Sequence, residues 1–467
     1  MNMKSLAPPG KAVPHVPPAR ESTGSSFVYY TANNMHTIPQ LASIPAELRF
    51  EMKIAAIVFP FKVNRYVLDE LIDWSEVPDD PIFQLTFPQR GMLDPDDFDA
   101  LADLVKREAS IETIRTEADR VRRSLNPQPA GQTTLNVPEL DGEALPGLQH
   151  KYAETVLYFP AAGQTCHSYC TYCFRWPQFA GMKDMRIASR DTDRLVRYLG
   201  RHPGVTNVLL TGGAPMVIMT SKLAAIVEPM LTPALDHVHS IRFGTKALGY
   251  WPQRFVTDPD ADELLRLFSR IIETGRSVSL MAHCNHYHEL ETPMAREAVR
   301  RIRDTGAVIR SQSPLIARIN DTPAVWELMW REQVRLGIIP YYMFVERDTG
   351  ARRYFEVPLH SAVKIFREAY RHVNGLARTV RGPSMSAMPG KVEITGTAVI
   401  GGEKVFALRF LQARNPDWVG KPFFAAFDPD AVWLDDLKPA FGARRFFYED
   451  ELDSMVGNHS GRSGEAA

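Results

Sequence analysis

Cys166, Cys170 and Cys173 fall within eight residues of one another, in the segment AAGQTCHSYCTYCFRW. Thiolates are soft ligands that favour iron–sulfur clusters and zinc, and three on one tight loop can hold three corners of a cubane. The fourth iron of such a [4Fe-4S] cluster lacks a protein ligand. It is open to a small chelating donor, as the amino and carboxylate groups of S-adenosylmethionine (SAM) would be if the cluster is to pass it an electron. The competing reading is zinc, which usually takes four protein ligands from paired CxxC or Cys/His groups, and no second CxxC occurs. His167 lies inside the loop as a possible fourth ligand. Cys284, the remaining thiol, stands far along the chain and reads as a buried apolar residue. Tyr172 falls between the last two thiolates, where an aromatic ring can pack on an adenine.

A metal loop of this kind needs a rigid frame. Between about residues 150 and 375, β-branched and aromatic runs alternate with helical patterns, the order of a parallel α/β architecture. Six such units are counted, with strands expected over 155–159, 207–210, 237–243, 277–282, 307–310 and 339–345. Right-handed crossovers would roll them into a barrel or an open sheet. The cysteines follow the first strand, at the carboxyl end where such folds place their sites. The second strand ends in VLLTGGAPM, whose Gly212 and Gly213 allow a ligand close to the backbone. Before the fifth strand Thr292 is placed to cap a helix, Pro293 to open it and Gly306 to end it.

Around the barrel region, 146–390, the pattern predicts a helical N-terminal region over 26–145, with helices at 45–57 and 95–124 and Asp94 capping the second. The runs VEITGTAVIG, KVFALRFL and KPFFAAF predict a small β-rich C-terminal extension over 391–450. Residues 1–25, rich in Pro, Ser and Gly, and residues 451–467 read as tails.

Charge and composition narrow the function classes. Lys and Arg number 54 against 55 Asp and Glu, so no overall basic field points to nucleic acid or an anionic membrane. No apolar run approaches the roughly 20 residues that cross a bilayer, and no secretory pattern opens the chain. Four cysteines, three of them clustered, are unlike a secreted disulfide scaffold, and the expectation is a cytoplasmic protein.

At these residues the chain resembles the lysine 2,3-aminomutase family of radical SAM enzymes, as a divergent member. The resemblance covers roughly residues 59 to 391 and rests on FPFKVNRYVLDELIDW, LQHKYAETVLYF, CTYCFRW, WPQRF, HCNHYHELE, and SQSPLIARIND followed by IPYYMF. It implies a partial (β/α)6 radical SAM barrel. It implies SAM, a [4Fe-4S] cluster and pyridoxal 5′-phosphate (PLP), used by a radical SAM isomerase. In the family's chemistry a 5′-deoxyadenosyl radical removes a β-hydrogen from an amino acid held as a PLP aldimine, and the α-amino group migrates to the β-carbon. The implied partners are a small amino acid substrate, a reductase or flavodoxin-type electron donor, and further copies of the chain in a homo-oligomer.

Residue by residue, Arg175 matches the family arginine for the substrate α-carboxylate, a group a guanidinium fork takes in a bidentate manner. Tyr152 and Lys151 fall where members of the family contact PLP, and Gly212 and Gly213 where they line SAM. Lys391, in SAMPGKVEI, falls near the aldimine lysine, although matching the Met-Pro turn puts it a few residues late. Ala214 stands where the family has a carboxylate after the glycine pair, and GPSMSAMPG replaces a Gly-rich run. Arg347 and Arg381 occupy the two positions where lysine-specific members set aspartates, which argues against L-lysine and opens the far end of the substrate to an anion. His283, His286, His288 and Glu289 crowd one loop without a clear metal-ligand spacing, and Gln312 can line the same mouth. Two other readings stay open: a radical SAM enzyme without PLP acting on another small molecule or a peptide, and a non-catalytic Fe-S or zinc-binding protein.

Overall fold

The computed structural model describes residues 27–464, so the tail expected over 1–25 lies outside the described residues. Eleven strands form one large sheet, and their order across it follows their order along the chain. They are β1 (Leu148–Tyr152), β2 (Thr155–Tyr158), β3 (Asn207–Leu210), β4 (Ser240–Thr245), β5 (Ser277–His283) and β6 (Val308–Leu315). The remaining five are β7 (Ile339–Val345), β8 (Arg381–Ser386), β9 (Gly390–Ile400), β10 (Glu403–Ala413) and β11 (Pro422–Ala426).

Strands β2 to β8 pair in parallel. Parallel neighbours require crossovers, and each gap carries a helix of eight or more residues: α1 (Thr192–Arg201), α2 (Thr220–Val227), α3 (Ala261–Glu273), α4 (Pro293–Asp304), α5 (Pro323–Arg335) and α6 (Leu359–Arg371). The sequence predicts the choice of face. In α3, Leu264, Leu267, Phe268 and Ile271 recur at helical spacing and all are buried. Each is worth about 1.5–3 kcal/mol when removed from water. They meet Val208, Ile241, Phe243 and Val278 from the strands in one core. Thr292 accepts from the Ala295 amide at the start of α4, with Pro293 in the first turn, and Gly306 follows its end at φ 87°.

The six expected strands are present, and β8 is an addition. Its sequence, RGPSMS, holds a glycine and a proline that argue against a strand on local grounds. It is tolerated because its register with β7 is broken between the Tyr342–Arg381 and Phe344–Ser384 pairs. The runs expected to form a separate β-rich extension instead continue the sheet: β9 pairs antiparallel with β8, and β10 and β11 follow. Their inner face closes over Phe406, Phe410, Trp418, Phe423 and Trp433. The expected tail over 451–467 is largely helical where it is described: Glu449–Gly464 form a helix.

The single helix expected over 95–124 is two, Pro95–Lys106 and Ile111–Ser124. The chain breaks at Glu108, which takes φ 55°, and Ser110 caps the second helix through the Thr113 amide. Asp94 caps the first as expected. Among the described residues no helix is long and apolar enough to cross a membrane.

The sheet rolls onto itself. Gln412 of β10 donates to the Glu154 carboxylate in the β1–β2 turn at 2.6 Å, and the Lys151 ammonium donates to the Ala387 carbonyl beyond β8. The space enclosed is the site described next.

Candidate active site

A cavity of about 290 Å³ fills the roll and opens among the loops that follow the parallel strands. Its wall includes Cys166, Cys170 and Cys173 on one side and Lys391 with Tyr152 on another. The cysteine loop leaves β2 and is held from two directions. From the N-terminal helical region, the Lys62 carbonyl accepts from the Tyr169 amide at 2.8 Å and from the Ser168 hydroxyl at 3.1 Å. The Leu85 and Gln84 carbonyls accept from the Thr171 amide and hydroxyl at 2.9 and 2.7 Å. The helical region thus clamps the loop at alternate residues, a role invisible in its sequence.

From the other side the loop docks on the glycine pair after β3. The Gly213 and Ala214 amides donate to the Gly163 carbonyl at 3.2 Å, and Ala214 also to Thr165 at 2.9 Å. A Cβ on Gly213 would lie 2.0 Å from the Thr165 carbonyl oxygen, and one on Gly212, whose φ is 128°, would meet the Gln164 side chain. Both glycines line the cavity, yet what their missing side chains admit is the backbone leading into Cys166. Gly213→Ala is therefore expected to displace the cysteine loop. It should lower the midpoint of thermal unfolding by several degrees and reduce iron incorporation on reconstitution, measured as iron per chain.

The cysteines are free and half-buried. Burial pushes the Cys173 thiol up to about 12 and raises Cys166 and Cys170 as well. Metal entry must displace these protons. Among the described residues no group of three His, Cys, Asp or Glu side chains is gathered closely enough to hold one metal ion. A closed zinc site needs its ligands within about 2.3 Å of a single point, whereas the three thiolates of a cubane each bind a different iron.

Behind the loop lies a buried polar network. Lys246, at the end of β4, donates to Glu289 at 2.6 Å and to Asn285 Oδ1 at 2.8 Å, and its ammonium is 4.1 Å from the Tyr250 ring centroid. The Tyr172 hydroxyl donates to the same Asn285 oxygen at 2.8 Å, and Asn285 Nδ2 donates to Ser313 at 3.0 Å. Tyr172 lines the cavity while its hydroxyl is committed to this network. Removing one partner of a buried pair leaves a charge uncompensated, at a cost of about 3–5 kcal/mol. Lys246→Met is expected to lose an amount in that range, measured by urea denaturation.

The histidine loop serves this scaffold. His286 caps the short turn Tyr287–Leu290 by accepting from the His288 amide, and Glu289 accepts from the Asn285 and His286 amides. His283 lies 2.7 Å from Gln312 Nε2, and both face the cavity. Burial, aided by Lys246 and Arg175, lowers His283 to about 3, so its ring is neutral. His288 lies half-exposed beside Glu291.

Lys391 enters the cavity from β9. Burial, with Arg242 and Arg381 nearby, lowers its ammonium to about 7. Its Nζ donates to Gln412 at 3.0 Å and lies 4.1 Å from the Tyr342 ring centroid and 6.0 Å from that of Tyr152. Lys151 is half-buried and its ammonium is lowered well below the usual range, chiefly by desolvation. The sequence marks it only by position in HKY.

Arg175 is buried, with its guanidinium carbon 4.5 Å from the Phe159 and 4.8 Å from the Phe174 ring centroids. Its Nη1 has no hydrogen-bond partner. Arg347 also lines the cavity, whereas Arg381 does not: it is exposed at the start of β8, stacked over Tyr341 and Tyr342. Sequence reasoning missed Glu346, a buried carboxyl on the cavity wall whose pKa burial raises well above the usual range.

No protein-family model matches the chain. A protein of Aquifex aeolicus, named provisionally as an L-lysine 2,3-aminomutase, is 31% identical over 396 residues, covering 85% of this chain and 92% of its own. The L-lysine 2,3-aminomutase of Fusobacterium nucleatum is 28% identical over 239 residues, a match spanning 51% of this chain and about half, 53%, of that enzyme. A crystal structure of Streptococcus suis SuiB bound to precursor peptide SuiA overlaps 57% of this chain and 54% of that one, with 10% identity and a TM-score of 0.33, too remote to bear on the fold. Identity sustained along nearly the whole of the first relative cannot come from a shared cysteine loop alone; the chain belongs to the lysine 2,3-aminomutase family, as a divergent member.

Proposed function

We propose that the protein is a radical SAM isomerase that moves the α-amino group of an amino acid to its β-carbon, with the rolled sheet as a (β/α)6 radical SAM barrel. The observation that carries this reading is the meeting, in one cavity, of three cysteines from a single loop and a lysine whose amine is near neutrality. Neither alone would suffice. Cys166, Cys170 and Cys173 suit a [4Fe-4S] cluster because they share a loop and line one cavity. Bound there with SAM, the cluster supplies a radical able to abstract a hydrogen atom.

Lys391 suits PLP because a Schiff-base lysine has to be neutral and nucleophilic at working pH, and its surroundings disfavour the ammonium. PLP supplies the π-system through which nitrogen crosses between neighbouring carbons. The chain's own residues orient and isolate the substrate. Arg175, with an unpartnered N–H, takes the α-carboxylate. Tyr152 and Lys151 flank the lysine. Phe174, Tyr342 and Phe344 give the cavity an apolar wall that excludes water and the hydrolytic side reactions it allows. The electron donor is a reductase or flavodoxin-type protein, and the free thiols suit a reducing cytoplasm.

The test is anaerobic reconstitution with iron, sulfide, SAM, PLP and a strong reductant, followed by chromatography for β-amino acids and 5′-deoxyadenosine across a panel of α-amino acids. The reading expects both products. A reconstituted protein that binds SAM and PLP and yields no β-amino acid from any of them would remove it.

A further inference from the structure

The charged groups on the cavity wall are sharply unbalanced. Lys151, Arg175, Arg242, Lys246, Arg347 and Lys391 face it, against the single carboxyl of Glu346, which burial favours in its neutral form. Several of these cations are already engaged. Lys246 is paired with Glu289, Arg242 donates to Asn207 Oδ1 at 2.8 Å, and Lys151 and Lys391 donate to Ala387 and Gln412. Arg175 and Arg347 differ: each has buried N–H groups with no partner among the described residues.

The free atoms of Arg347 are Nε and Nη2. These two N–H groups lie on the same edge of a guanidinium and form the fork that takes both oxygens of one carboxylate. Buried donors without acceptors are costly, so a ligand anion is the natural complement. Arg175 and Arg347 also share a support, with guanidinium carbons 4.8 and 5.3 Å from the Phe174 ring centroid. Two anion anchors on one ring lie within reach of the two ends of one short molecule.

We infer that the substrate is a dicarboxylic α-amino acid, its α-carboxylate on Arg175 and its side-chain carboxylate on the Arg347 fork. This rests on the aminomutase reading above. In that reaction the C2–N bond breaks, a C3–N bond forms and one hydrogen passes from C3 to C2, an isomerisation that consumes no oxidant. Applied to aspartate, the shift returns aspartate, because C2 and C3 both carry carboxylates. Glutamate is the shortest homologue whose product differs from its substrate, and the assignment is to glutamate or a close analogue.

The experiment is equilibrium binding of L-glutamate, L-glutamine and L-lysine to the reconstituted protein, with β-amino acid formation followed in parallel. Glutamate is expected to bind at least about tenfold more tightly than its neutral isostere glutamine, as for loss of one charge-assisted contact. In Arg347→Leu that preference should vanish. Arg347→Lys, which keeps the charge and loses the fork, should retain part of it and guards against a folding defect in the leucine variant. Glutamine or lysine binding as tightly as glutamate to the wild type would overturn the assignment. So would loss of PLP binding in Arg347→Leu, since the fork would then hold the cofactor phosphate. If glutamate binds through Arg347 and no amino acid is converted, the aminomutase reading falls and the ligand assignment stands.

Discussion

Cys170→Ala is expected to abolish the iron–sulfur chromophore on anaerobic reconstitution and, with it, reductive cleavage of SAM to 5′-deoxyadenosine. Three thiolates provide all the protein ligation proposed for the cluster, each on a different iron, so the loss of one removes a corner. The control is Cys284→Ala. That thiol is 1% exposed, buried in the same core as Leu290 and Phe243, and absent from the cavity wall. Its loss should cost about 1 kcal/mol or somewhat more in packing and leave the visible spectrum and the low-temperature electron paramagnetic resonance signal intact. A Cys170→Ala protein that still assembled a four-iron cluster would show that the three-thiolate assignment is mistaken.

What could be read from the chain alone was what local sequence controls. A CxxxCxxC loop offers three ligands by its spacing, and the six expected strands announce themselves as short β-branched and apolar runs set between helical patterns, as in Asn207–Leu210. Other features depend on partners distant in sequence. β8 exists because β7 and β9 flank it, against the local preference of RGPSMS. The clamp on the cysteine loop runs from Lys62, Gln84 and Leu85, some hundred residues upstream. Glu289 looked like one more polar residue in a histidine-rich loop until Lys246, at the end of the preceding strand, was placed beside it.

The arginines show the same division. Arg347 and Arg381 drew equal attention as sequence positions, but β8 begins at Arg381 on the outer rim, stacked against Tyr341 and Tyr342, while Arg347 follows the end of β7 and turns inward. Position relative to a strand end decided which one lines the cavity. Lys391 ran the other way. Its place after Pro-Gly suggests a hairpin lysine, and the approach to it lacks the Gly-rich run of the family, yet β9 directs its amine into the cavity because the sheet rolls and β10 closes against the β1–β2 turn.

That placement makes Lys391 the residue expected to capture PLP, and its titration provides the sign. A lysine near its ordinary value of 10.5 reacts faster with every unit of pH up to that value, because only the neutral amine attacks a carbonyl. Lys391, lowered to about 7 by burial and by Arg242 and Arg381, reaches its neutral form much earlier. The rate of PLP attachment should therefore rise about tenfold per unit below pH 7 and level off above it. Borohydride reduction and peptide mass spectrometry would identify the modified residue at each pH, and Lys391→Ala should remove the label altogether. The same shift has a consequence for stability. Between about pH 7 and 10.5 the unfolded chain binds a proton at this residue that the folded chain does not, so this group's contribution to stability increases with pH across that window and is flat below it. Lys391→Met should erase that slope. Attachment that tracks a midpoint near 10, or that lands on Lys151, would show that Lys391 is not the nucleophile.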